Sequence, residues 1–89
     1  MLSKSDVGCA LKTIRVKKQI SQELLGPSQS FVSSIERGLR SPTVEKLQQF
    51  ATLLGISPVT LLAQAALSND ESIDTLLATV RKELEEIAR

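Results

Sequence analysis

Three observations predict an all-α fold for this chain. Nothing in it alternates polar and apolar residues with the period of two that a half-buried strand requires. Its apolar residues instead recur at separations of three and four, the spacing of one helix face. Capping residues and breakers then cut the sequence into segments of helical length.

Ser3, with Asp6 three positions on, opens the first helix, whose apolar face is Val7, Ala10, Leu11 and Ile14. That stripe breaks at Lys17-Lys18, so the helix is expected to end there and not to run on through Gln19, although no glycine lies between Lys18 and Gly26. Ser21 is placed to cap a very short second segment, Gln22 to Leu25, stopped by Gly26-Pro27. Ser28 caps a third helix ending near Gly38, a residue able to take the left-handed conformation that closes a helix. On it Phe31, Val32 and Ile35 share one side, while Gln29, Ser30, Ser33, Ser34 and Arg37 occupy the rest. One edge can dock and the other can form hydrogen bonds. Thr43 caps a fourth helix with Leu47, Phe50, Ala51 and Leu54 inward and a stop at Gly55, and Ser57-Pro58 opens a fifth with Leu61 and Leu62 inward. Ser68 and Glu71 have capping-box spacing ahead of a long last helix.

Composition excludes several classes of function. With 89 residues the chain holds one small domain and an appended element, a size at which a single core is only marginally stabilising and a second subunit would help. Histidine is absent, which removes the commonest metal ligand and general base, and Cys9 is the single cysteine, so neither a metal site nor a cofactor is expected. No carboxylate pair or glycine-rich phosphate loop marks an active site, and a non-enzyme is expected. The lone cysteine fits a reducing cytoplasm, and no apolar run approaches the roughly 20 residues of a membrane span. Charge is unevenly spread. Residues 1–40 carry seven bases against three acids, a net +4, and residues 41–89 carry four against seven, a net −3. The half with the Gln/Ser helix is thus the half suited to a polyanion.

Several ordered elements carry a family resemblance: Leu11 and Arg15; Ile20-Ser21-Gln22-Glu23; Ser28-Gln29-Ser30-Phe31-Val32-Ser33-Ser34-Ile35-Glu36-Arg37-Gly38; then Pro42, Leu47, Ala51 and Leu54-Gly55-Ile56-Ser57. Over residues 11 to 65 the chain resembles the helix-turn-helix domain of the xenobiotic-response-element family, related to the phage lambda and 434 repressors. The resemblance implies a lambda-repressor-like five-helix DNA-binding domain, here with a shortened helix two and an added C-terminal helix. It also implies that the helix from Ser28 enters the major groove of double-stranded DNA. Gln29 is then the leading base reader, because a side-chain amide can pair twice with adenine, and Ser30, Ser33 and Ser34 are weaker readers. Gln22, Lys12, Lys17, Lys18, Arg37 and Arg40 become candidates for phosphate contacts, which fix register without reading sequence. Arg15 and Glu36 are implied to form a structural ion pair joining helix one to the reading helix.

The chain departs from the family at helix two. Relatives commonly place about four more residues between Ser21-Gln22-Glu23 and the turn glycine, a deletion that shortens a helix by roughly 6 Å yet rotates the next segment by only about 40°. Either Leu24 or Leu25 can then face the core, and a one-turn helix two must bury less surface. Beyond the resemblance, Ile73, Leu77, Val80, Leu84 and Ile87 succeed one another at separations of 4, 3, 4 and 3, the rhythm of a coiled-coil seam. Such a stripe needs a partner, here a second copy in preference to its own body. The expectation is therefore a DNA-binding domain, residues 1–67, and a dimerisation helix, residues 68–89, together forming a homodimeric transcriptional regulator, a repressor, on a palindromic operator. The alternative is an antitoxin-like or adaptor protein whose main partner is another protein.

Overall fold

A computed structural model describes residues 2–67 and 71–89, and among these there are five α-helices and one 3₁₀ turn but no strand. The helices are α1 (Lys4–Lys17), α2 (Gln29–Glu36), α3 (Val44–Leu54), α4 (Pro58–Ala66) and α5 (Ile73–Ile87), with the 3₁₀ turn at Gln22–Leu24. Each of the first four helices starts where a side-chain oxygen can take a free amide of its first turn. Ser3 accepts from Asp6, Ser28 from Phe31, Thr43 from Lys46 and Ser57 from Val59.

At Ser3 the arrangement is reciprocal, since the Asp6 carboxylate accepts from the Ser3 amide at 3.0 Å and from its hydroxyl at 2.9 Å. The bond from the Ser3 amide, then that from its hydroxyl, holds the Asp6 carboxyl below the usual aspartate value. A depressed folded value stabilises the helix start above the unfolded carboxyl's titration and loses that contribution as pH falls through the lowered value. Amide exchange measured by NMR is expected to show the Ser3 and Asp6 amides, which the capping box bonds, losing protection only in strong acid, and replacing Asp6 with asparagine should remove that pH response.

The first helix stops without a glycine. Gln19 takes a left-handed backbone with φ 59°, and the amides of Gln19 and Ile20 bond back to the carbonyls of Val16 and Arg15, both at 3.0 Å. The 3₁₀ turn is shorter and tighter than the one-turn helix expected from sequence. Ser21 precedes it in extended conformation but supplies no side-chain cap. Of the two leucines available, Leu25 enters the core at 1% exposure while Leu24 points outward at 65%.

The core gathers Val7, Ala10 and Leu11 of α1, Leu25 after the 3₁₀ turn, Val32 and Ile35 of α2, Leu47, Phe50 and Leu54 of α3, and Leu61 and Ala65 of α4. Ile14 is partly buried against it, with Ile20, Phe31, Ile56 and Leu62. Among the described residues no single helix is long and apolar enough to cross a membrane; α3 and α4 are apolar enough together, but they are bent by 104° and their apolar sides are the core.

The last helix corrects one expectation. Its cap is Ser72, which accepts from the Thr75 amide at 3.0 Å, and Glu71 lies before the helix. The expected Ser68 cap lies outside the described residues. No residue of α5 is buried, and Ile73, Leu77, Val80, Leu84 and Ile87 are 40% to 78% exposed. Leu76 is half-buried where α5 runs beside α4, and Leu76, Leu77 and Val80 share an apolar groove with Leu2, Val59 and Leu62.

Candidate nucleic-acid interface

The helix expected to read bases is α2, and its two edges separate as the spacing requires. Val32 and Ile35 have no solvent exposure, while Gln29 and Ser30 stand exposed in its first turn and Ser33 is half-exposed one turn on. Ser34 is directed elsewhere: its hydroxyl donates to the Phe31 carbonyl at 2.7 Å, so its proton serves its own helix. The helix ends as Gly38 adopts φ 76°, with the amides of Gly38 and Leu39 returning to Ile35 and Ser34 at 3.0 and 2.9 Å. Any other residue at Gly38 would be strained in that conformation and would press on Ser5.

A chain of hydrogen bonds runs from the interior of the domain to that exposed first turn. Arg15 of α1 grips Glu36 of α2 with both prongs, Nε donating to Oε2 at 2.6 Å and Nη2 to Oε1 at 3.0 Å. Its third nitrogen donates to the Ile20 carbonyl at 2.9 Å, tying down the segment before the 3₁₀ turn. The side chains are 13% and 3% exposed, and the bonds to Glu36 raise the Arg15 pKa above its ordinary value against the opposing effect of burial. Gln22 of the 3₁₀ turn donates its amide nitrogen to Glu36 at 2.9 Å, which fixes the orientation of its side chain. Its oxygen then faces outward and accepts from the Gln29 amide at 3.4 Å, the longest link in the chain. Glu36 therefore holds Gln22, and Gln22 meets Gln29 through a long, exposed contact. No buried polar side-chain atom among the described residues lacks a partner.

The basic residues divide by position. Arg37 and Arg40 are exposed beyond the end of α2, and Lys18 is exposed where α1 gives way to the 3₁₀ turn. Lys12 is exposed on α1, about 60° round the helix from Arg15, whereas Lys17 lies about 160° from it and projects on the side away from Glu36. The Arg40 guanidinium sits 5.3 Å from the centre of the Phe31 ring, and the Lys46 ammonium sits 5.8 Å from the same ring. Sequence reading missed Lys46. Its signal was available, because a lysine in the first turn of a helix opposes the helix dipole and needs another reason to be there; the face of Phe31 supplies it.

Comparison with known proteins accords with this geometry. A helix-turn-helix family model matches residues 11–61, a span that includes the whole hydrogen-bonded chain from Arg15 to Glu36. The chain belongs to this family. An uncharacterized HTH-type transcriptional regulator of Sinorhizobium fredii, y4dJ, is 42% identical over 60 residues, which cover 63% of this chain and 78% of that protein. In one crystal structure of the clp gene regulator ClgR from Corynebacterium glutamicum the similarity has a TM-score of 0.68 at 28% identity, covering 74% of this chain and 91% of that one. A second ClgR crystal structure, with a TM-score of 0.67 at 24% identity, covers 98% of this chain and 90% of its own, so the shared fold extends through α5. This helix-turn-helix protein is a DNA-binding transcriptional regulator with the lambda-repressor-like fold. With only a 3₁₀ turn in the place of helix two, Leu25 still enters the core at 1% exposure.

Proposed function

We propose that the protein is a sequence-specific repressor that binds a palindromic operator as a homodimer in the cytoplasm. Residues 1–67 form the DNA-binding domain, residues 68–89 join the two copies, and neither metal nor cofactor takes part. The observation that carries this reading is the exposed first turn of α2, where Gln29 meets a side chain that is itself anchored on a buried ion pair. A reader whose neighbour is already oriented has fewer side chains to order on binding. Gln29 reads adenine through both ends of its amide, Ser30 and Ser33 make single bonds to neighbouring bases or to water, and Ser34 contributes through its lone pairs alone. Lys12, Lys18, Arg37 and Arg40 meet phosphates, Gln22 does so only through the second N–H of the amide nitrogen it gives to Glu36, and Lys17 contributes at longer range. The two α2 helices of a dimer would lie about 34 Å apart, entering successive major grooves on one face of the duplex.

The test uses a fragment selected by the protein from genomic DNA. Binding measured by anisotropy is expected to weaken steeply with salt, with a slope of log K on log salt of about −0.9 for each phosphate contacted. Gln29→Ala is expected to relax preference at one base position by about 1 to 3 kcal/mol while leaving the slope unchanged. A flat salt response, or a uniform loss over all sequences, would overturn the assignment.

A further inference from the structure

The face of α5 left open in the monomer is bordered by charges that select one way of covering it. Along the seam Leu77 and Leu84 take one core position of the heptad and Ile73, Val80 and Ile87 the other. The residues flanking that seam are then Asp74, Arg81 and Ala88 on one side and Leu76 and Glu83 on the other. Two α5 helices lying parallel would set Leu76 against Arg81 and Glu83 against Ala88, joining no opposite charges. Lying antiparallel, they set Asp74 against Arg81 twice, once at each end of the two-fold contact, with Ile73 layered on Leu84 and Leu77 on Val80. Arg81 is free to make that contact. Its only ion pair among the described residues, to Glu85 at 2.8 Å, is exposed on both sides, and such pairs hold a side chain weakly.

We infer that α5 pairs with α5 of a second copy of this chain in antiparallel register, its flank joined by reciprocal Asp74–Arg81 ion pairs. The inference rests on the homodimer proposed above and adds the direction and register of its contact. The same two-fold arrangement is isologous, so every contact is made twice and the assembly closes at two copies. The apolar groove shared by Leu2, Val59 and Leu62 with Leu76, Leu77 and Val80 borders the seam, so each α5 is seated beside its partner's α4 as well as on its partner's α5.

Cysteine cross-linking in the full chain tests it, with the exposed Cys9 replaced by serine to remove background. A mixture of Ile73→Cys and Leu84→Cys chains is expected to form a mixed disulfide under mild oxidation. Leu84→Cys alone is expected not to cross-link, because in antiparallel register the two copies of residue 84 lie about 16 Å apart along the helices, well beyond the roughly 7 Å limit between Cα atoms. In sedimentation experiments, Asp74→Arg and Arg81→Asp are each expected to weaken the dimer about tenfold, by placing like charges in contact twice, and the double exchange should restore it. Self-cross-linking of Leu84→Cys would establish the parallel pair and overturn the inference. A dimer that gives neither cross-link would overturn it by placing the contact in another register or off α5. A monomeric wild-type chain at high concentration would instead refute the homodimer beneath it, and salt-dependent DNA binding is read separately from both.

Discussion

Glu36→Ala is expected to destabilise the domain by about 3 to 5 kcal/mol, because it leaves the Arg15 guanidinium largely enclosed and without its carboxylate. The figure is large for a domain whose whole stability is on the order of 5 to 15 kcal/mol. It is expected even though the pair is charged, since the cost comes from stranding a desolvated partner and not from the attraction lost. At 13% and 3% exposure neither side chain can recover that loss by turning to water. Urea unfolding measures it, and a double-mutant cycle separates the causes. Arg15→Met and Glu36→Ala should each be costly, while the combination should cost little more than either alone. Additive losses would show that the two residues act through separate contacts. Glu36→Ala should also free Gln22, which donates to the same carboxylate at 2.9 Å, and so loosen Gln29. DNA discrimination by the surviving folded protein is expected to fall at the base that Gln29 contacts.

Gly8→Ala is expected to destabilise by about 3 kcal/mol, against a gain of about 1 kcal/mol that the same exchange brings to an ordinary helix interior. Gly8 is buried where α1 crosses α2, and a methyl group there would overlap the Ile35 carbonyl oxygen and stand 3.1 Å from the Glu36 carbonyl oxygen. Both obstacles are backbone, so no side chain can swing aside and the helices must part. Parting them stretches the Arg15 to Glu36 bridge that lies further along the same contact. Thermal unfolding gives the sign directly. An unchanged or raised melting temperature would mean that α1 and α2 are not held at this distance in solution.

The caps of the first four helices could be read directly, since each is an exchange between residues two or three apart, within reach whatever the rest of the chain does. The apolar faces of α1, α3 and α4 are legible from periodicity for a similar reason. The start of α5 shows the limit of that local reading. Ser68 with Glu71 and Ser72 with Thr75 both have cap spacing, and the bond forms at Ser72. Which of Leu24 and Leu25 turns inward was equally open, because a deletion inside the second segment leaves both near the core side.

The order of residues alone established an all-helical regulator fold, the edge of α2 that bears amides and hydroxyls, and the apolar seam of α5. Tertiary structure alone decided that Gly8 has no room for a side chain, that Lys46 joins Arg40 over Phe31, and that the Gln22 amide is engaged by Glu36. The difference lies in range. Caps and periodic faces are set by neighbours within a turn or two, whereas a glycine's clearance or an amide's partner depends on where a distant backbone comes to rest, and the Gln22 and Glu36 side chains are 14 positions apart.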